Sequence, residues 1–127
     1  MTIYLADTQI VLWAGGAPER LAPSVRDLIA DSSVDVRVSA VSIAEMAIKQ
    51  SIGKLTLPVP PLDLCEAIGL DVVALEPAHA QYVGSLPLHH RDPFDRLLIA
   101  QAVCESMILV SADRSMALYD VPLVANW

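Results

Sequence analysis

Asp92-Pro93-Phe94-Asp95-Arg96-Leu97-Leu98-Ile99-Ala100-Gln101-Ala102, followed closely by Ile108-Leu109-Val110, carries the architecture of the chain. Asp92 suits a helix N-cap and Pro93 the first helical position, where its missing N–H costs nothing. The apolar residues beyond them predict a helix reaching about Glu105. Ile108 to Val110 then reads as a buried strand. A helix delivered straight into an apolar strand is one half of a βαβ crossover.

The same alternation extends upstream. Ile3 to Ala6 is a short apolar run ending at Asp7, and Ile10 to Trp13 reads as a helix broken at Gly15-Gly16. Pro23 to Ile29 predicts a second helix and Val36 to Ser39 a second strand, with a third helix from about Val41 to Ile52 stopped by Gly53. Leu57-Pro58-Val59-Pro60-Pro61 is a rigid extended connection into a helix over Leu62 to Ile68. Asp71 to Leu75 is the next strand, Pro77 to Val83 a short helix, Leu86 to Arg91 a polar loop, and Leu123 to Ala125 a last short strand. Right-handed crossovers then build an α/β fold, a three-layer α/β/α sandwich around a central, mostly parallel sheet. In such sheets ligands gather beyond the carboxyl ends of the strands.

The 127 residues, 54% of them hydrophobic and 18% charged, suit one globular domain spanning 1–127 with a real core. No apolar run approaches the roughly 20 residues of a membrane helix, and Met1 leads directly into the first strand, so a soluble, cytoplasmic protein with no membrane partner is expected. Cys65 and Cys104 lack CxxC spacing and read as buried thiols. Eight Lys and Arg against fifteen Asp and Glu give a net charge of −7, which excludes the broad basic footprint of a typical nucleic-acid binder. A polyanion must then be admitted by something local, such as metal ions. Two Trp, three Tyr and one Phe form no periodic stripe, which argues against a base-stacking platform.

Four carboxylates fall where the topology puts a ligand. Asp7 follows the first strand, Asp113 follows Ile108-Leu109-Val110, Asp95 sits in the first turn of the long helix, and Glu45 lies early in the third helix. Each has a structural reading as well. Asp7 can cap the following helix, Glu45 can form a capping box with Ser42 or pair with Lys49 at i,i+4, Asp95 can serve the helix dipole, and Asp113 can start an Asx turn. Asp92 reads as a cap, with Arg96 on the next turn as an available partner. Lys49, Arg91, Arg96 and Arg114 lie beside the acids and either touch phosphates or balance local charge. His79, His89 and His90 lack HxxxH spacing, so His89-His90 reads as a solvated loop pair rather than a metal-ligand set. Four acids in one cleft would raise one another's pKa unless cations sat among them, and hard oxygen donors suit Mg²⁺ or Mn²⁺.

Tyr4-Leu5-Ala6-Asp7-Thr8, Val38 to Glu45, Arg91 to Ala102 and Leu109-Val110-Ser111-Ala112-Asp113 together resemble, in this order and over nearly the whole length, the PIN-domain toxins of bacterial type II toxin–antitoxin modules, the VapC family. The resemblance implies a metal-dependent endoribonuclease with Asp7 and Asp95 as principal metal ligands, Glu45 as third acid and Asp113 as fourth. It places Thr8 and Ser111 beside the acids, orienting carboxylates or water. It also implies a homodimer, an RNA substrate and a cognate antitoxin protein that blocks the site. A haloacid-dehalogenase-type phosphatase would need an aspartate two residues after Asp7, where this chain has Gln9. A response-regulator receiver would need paired acids near the first strand and a late-strand lysine. A PIN module that binds RNA or protein without cutting is the remaining alternative, and it is disfavoured by the presence of all four acids.

Overall fold

In a computed structural model describing residues 1–127, five strands form one sheet: β1 (Ile3–Ala6), β2 (Asp35–Ser39), β3 (Asp71–Val73), β4 (Ile108–Ser111) and β5 (Leu123–Ala125). The order is β3-β2-β1-β4-β5 and every pairing is parallel. Six helices connect and cover the strands: α1 (Thr8–Gly16), α2 (Pro23–Ala30), α3 (Ala40–Ser51), α4 (Pro61–Ile68), α5 (Pro77–Tyr82) and α6 (Pro93–Cys104). Short 3₁₀ turns occupy Pro18–Arg20, Val83–Ser85 and Arg114–Leu118. No helix is long and apolar enough to cross a membrane.

Side-chain alternation along the strands assigns the two faces. Ala6, Val36, Val38 and Val110 join Ile10, Val11, Val25, Met46 and Leu64 in one core, beneath α1 to α4. Leu5 and Leu109 point the other way and pack with Leu98, Ile99, Ala102, Met107 and Met116 beneath α6. Because both faces of the central strands are covered, Leu5, Ala6, Leu109 and Val110 are all fully buried, which is why these segments read as continuous apolar runs.

Most elements fall where the sequence predicts them, and the differences have local causes. β3 stops at Val73 rather than Leu75 because it is an edge strand whose only partner, β2, ends at Ser39, opposite Val73. The Ala74 carbonyl instead accepts a hydrogen bond from Gln101 Nε2 (3.2 Å) on α6. Gly15-Gly16 does not break α1 before its end; the helix runs through Gly16. Gly15 lies against α4, where an added Cβ would sit 2.6 Å from Leu64 Cδ1, so the glycine answers a close approach of two helices. Both cysteines are free thiols, but only Cys65 is buried. Cys104 is exposed together with Glu105 and Ser106, at the last turn of α6.

The last strand is tied back by one side chain. Asn126 Oδ1 accepts from Ala22 N (2.6 Å) at the start of α2, and its Nδ2 donates to Arg20 O (3.1 Å). Its own backbone N–H donates to Ser111 O (2.8 Å). Asn126→Ala removes two side-chain hydrogen bonds that join segments more than a hundred residues apart, and urea denaturation is expected to show a loss of about 1–2 kcal/mol at unchanged m-value.

Candidate functional site

The parallel order places the carboxyl ends of β1 and β4 side by side, and the Asp7 N–H continues the ladder by donating to Val110 O (2.9 Å). Asp7 is 3% exposed. It caps α1, with Oδ1 accepting from Ile10 N (2.9 Å), while Oδ2 accepts a short hydrogen bond from the Ser111 hydroxyl. Ser111 Oγ in turn accepts from Asp113 N (2.9 Å), and Asp113 Oδ1 accepts from Ser115 N (2.9 Å) as it opens the following 3₁₀ turn. One buried hydroxyl thus links the two strand-end acids.

Glu45 comes from the second turn of α3 and is 5% exposed. Its Oε1 accepts from the Thr8 hydroxyl (2.7 Å), which also lies 2.9 Å from Ser42 Oγ, and its Oε2 meets Lys49 Nζ at 2.6 Å. The helix carrying it is capped by Ser39, whose hydroxyl accepts from Val41 N. Ser42 therefore faces Thr8, and the capping-box alternative for Glu45 does not form, while the i,i+4 pair with Lys49 does.

Asp92 caps α6, Oδ1 accepting from Phe94 N (2.9 Å) and Asp95 N (3.1 Å). This orients the first turn so that Asp95 faces the cleft. Arg96 does not pair with Asp92. Its guanidinium donates to the carbonyls of Pro87 (2.8 Å), Val83 (3.3 Å) and Leu86 (3.4 Å) and to Tyr119 Oη (3.0 Å), pinning the preceding loop to the helix. Of the other basic residues near the acids, Arg114 lies over the Trp127 ring and Arg91 is exposed.

Asp7, Glu45, Asp95 and Asp113 line one cleft of about 330 Å³, together with Asp92 and Lys49. Five carboxylates thus face one ammonium that is already engaged by Glu45. The consequence is electrostatic. Burial, outweighing its hydrogen bonds from Ser111 and Ile10, pushes the Asp7 carboxyl up to about 6, with Asp113 and Glu45 adding to the rise. Burial, then the neighbouring charges of Asp92, Asp7, Asp113 and Glu45, pushes Asp95 up to about 8. A set of hard oxygen donors with unbalanced negative charge fits a divalent cation of the Mg²⁺ or Mn²⁺ kind.

One histidine of the three departs from the reading of the sequence. His79 is buried, Nδ1 accepting from Glu76 N (3.0 Å) and Nε2 lying 2.7 Å from Glu105 Oε1, so it caps α5 and ties it to α6. His89 is solvated, but His90 is not: its side chain is 17% exposed, and Nε2 lies 3.5 Å from Asp95 Oδ2. One donor atom from each of His90, Asp95 and Asp113 falls within 4.8 Å of the others. HxxxH spacing misses such a residue, because its companions are carboxylates rather than a second histidine, Asp95 five residues on in the first turn of α6 and Asp113 beyond the end of β4. The available signal was position, two residues before the Asp92 cap.

An all-parallel five-stranded sheet with an acid cleft beyond its carboxyl ends is the PIN arrangement, and the PIN domain family model matches residues 4–122. The chain belongs to this family. It is similar to Ribonuclease VapC22 of Mycobacterium tuberculosis (strain ATCC 25618 / H37Rv), 29% identical over 119 residues that cover 91% of each chain. Its fold is that of VapBC2 from Rickettsia felis, solved bound to a promoter DNA fragment, with a TM-score of 0.73 and 16% identity over 99% of both chains. DNA-bound VapBC from Salmonella typhimurium shares it too, with a TM-score of 0.71 and 16% identity over the full length of both.

The raised carboxyls have a signed consequence for stability. In the folded protein Asp7 and Asp95 hold protons that the unfolded chain releases near pH 3.8, so the folded state binds more protons between about pH 4 and 8. Stability must therefore fall as pH rises through that window. In EDTA at pH 8.5, Asp95→Asn is expected to be more stable than the parent by on the order of 1–3 kcal/mol, solvent screening included. Thermal unfolding should show that difference vanish at pH 4, and equal melting of parent and variant at both pH values would contradict the electrostatic account.

Proposed function

We propose that the protein is a Mg²⁺- or Mn²⁺-dependent endoribonuclease that hydrolyses RNA phosphodiester bonds at Asp7, Glu45, Asp95 and Asp113, as the toxin of a type II toxin–antitoxin module. The observation that carries this reading is the convergence of four carboxylates from four separate segments on one cleft with a single lysine. Membership of the PIN family and the likeness to a curated ribonuclease support the choice of reaction.

When bound, a divalent cation would supply Lewis-acid activation of a water and neutralise charge that builds on the phosphate. The chain's own residues prepare the site for it. Asp7 and Asp95 would be the principal ligands, Asp7 immobilised by Ile10 N–H and Ser111, Asp95 by its place at the capped start of α6. Asp113, exposed at the rim, and Glu45, oriented by Thr8 and Lys49, would complete the set, and either could take a proton from the attacking water. The half-exposed Lys49 is the cation of the chain nearest to hand for a phosphate oxygen.

The chain, 1–127, is read as one domain of this kind, acting in the cytoplasm. Its partners on this reading are a homodimer mate and a cognate antitoxin. The structural neighbours described as toxin–antitoxin complexes support the antitoxin, and an acid-lined cleft is chemically suited to a basic side chain from such an inhibitor.

The test is cleavage of several structured RNAs by the purified protein in Mg²⁺, Mn²⁺ or EDTA, beside Asp7→Asn and Asp95→Asn. Cleavage should require the cation and fall in each variant by at least about a hundredfold, the scale of losing one electrostatic contact with the reacting phosphate. Undiminished cleavage in both variants would sink the site assignment. Failure to cut any RNA would favour a binding module.

A further inference from the structure

Asp95 is the acid with the least support of its own. Asp7 is held by a backbone amide and a hydroxyl, Glu45 by a hydroxyl and an ammonium, yet the only basic side chain within 4.0 Å of the Asp95 carboxylate is His90, at 3.5 Å. His90 itself is firmly placed. Its Nδ1 lies 2.7 Å from Tyr119 Oη, its ring meets the Tyr119 ring edge-on at 5.3 Å, and its backbone N–H also points to Tyr119 Oη (3.3 Å). What remains is Nε2, buried and without a hydrogen-bond partner.

Counting protons around Tyr119 fixes which ring nitrogen carries the hydrogen. Tyr119 Oη already receives Arg96 Nη1–H (3.0 Å) and the His90 backbone N–H (3.3 Å). A phenolic oxygen accepts two such bonds, and its own proton must then be donated. The acceptor in reach is His90 Nδ1. With Nδ1 accepting, a neutral imidazole must carry its hydrogen on Nε2, facing Asp95. Were Nε2 instead a bare metal ligand, Nδ1–H would be a third donor aimed at Tyr119 Oη, and the phenolic proton would be left without an acceptor.

We propose that His90 is a positioning residue for Asp95: the chain Arg96–Tyr119–His90 sets the imidazole as an Nε2–H donor toward Asp95 Oδ2, which holds the carboxylate rotamer and leaves its other oxygen for the cation. The separation of 3.5 Å is long for a finished hydrogen bond, as is common at catalytic groups before ligands bind. Donors of this kind behind a metal-binding side chain typically govern affinity by 10–100-fold. The proposal rests on reading Asp95 as a metal ligand.

Two measurements on the full chain test it, and the first requires neither metal nor RNA. Long-range ¹H–¹⁵N NMR of ¹⁵N-labelled protein in EDTA at pH 8.5, where Asp95 is ionised, should find His90 as the Nε2–H tautomer, and Tyr119→Phe should turn it into a mixture. The Nδ1–H tautomer in the parent would overturn the proposal. The second is calorimetric titration with Mn²⁺ and with Mg²⁺. His90→Ala should weaken both about equally, by roughly 10–100-fold, and His90→Gln, whose amide N–H₂ can take the place of Nε2–H, should recover most of the loss. Unchanged affinities, or a loss confined to Mn²⁺ that His90→Gln does not repair, would overturn it, the latter in favour of direct ligation by nitrogen. A correct tautomer in a protein that cleaves no RNA would count against the nuclease reading alone.

Discussion

The parallel pairing of β1 with β4 is the constraint on which the site depends. It registers Ala6 against Val110, so Asp7, just past the end of β1, and Ser111, the last residue of β4 and the lead into Asp113, emerge at the same level. The Asp7 amide is still committed to the Val110 carbonyl, and the carboxylate is therefore fixed by the sheet as well as by the helix it caps. The apolar residues on both faces lock this register, because a one-residue slip would turn Leu5 and Leu109 from one core into the other. Core packing and site geometry are thus one requirement on the same few residues.

Holding acids together without a full complement of counter-charges costs stability, and the molecule limits that cost with hydroxyls. Ser111 donates to Asp7 and Thr8 donates to Glu45, each satisfying an oxygen that would otherwise be buried bare. Neither hydroxyl neutralises charge. Lys49 alone does so directly, and it is spent on Glu45. The residual imbalance falls on Asp7 and most on Asp95, so the site is electrostatically incomplete in a way that a small, hard cation would repair.

Much of this was legible in the sequence. Capping chemistry at Asp92-Pro93 and the apolar runs of Ile3–Ala6 and Ile108–Val110 are local signals that survive folding, and they located the sheet, its helices and three of the acids' addresses. What was not legible depends on pairs far apart in the chain. The early end of β3 follows from where β2 stops, the continuity of α1 through Gly15 follows from the nearness of Leu64, and the choice of Lys49 over Ser42 as the neighbour of Glu45 follows from Thr8 reaching Ser42 across α1 and α3. His90 is the same case. Tyr119, which holds its ring, lies 29 residues further on, and adjacent histidines in a polar loop carry no sign of which one turns inward.

The fate of the arginines decides how an acidic chain can meet an anion. Arg96 stands beside Asp95 in sequence and looks available to a phosphate, but its guanidinium is consumed by three loop carbonyls and Tyr119. Arg114 is stacked on Trp127 and Arg20 on Trp13. Arg37 is paired with Asp35. Six cationic groups of the eight are in this way tied to the protein's own structure, Lys49 on Glu45 and Arg26 donating to Leu21 O (3.3 Å) included. Attraction for a phosphodiester must then come chiefly from charge brought into the cleft rather than from side chains around it, so recognition of the backbone and chemistry on it would depend on the same ion. On the proposed reading that coupling would give an inhibitor a simple route: a basic side chain that neutralised the carboxylates would remove the binding surface and the reaction centre together.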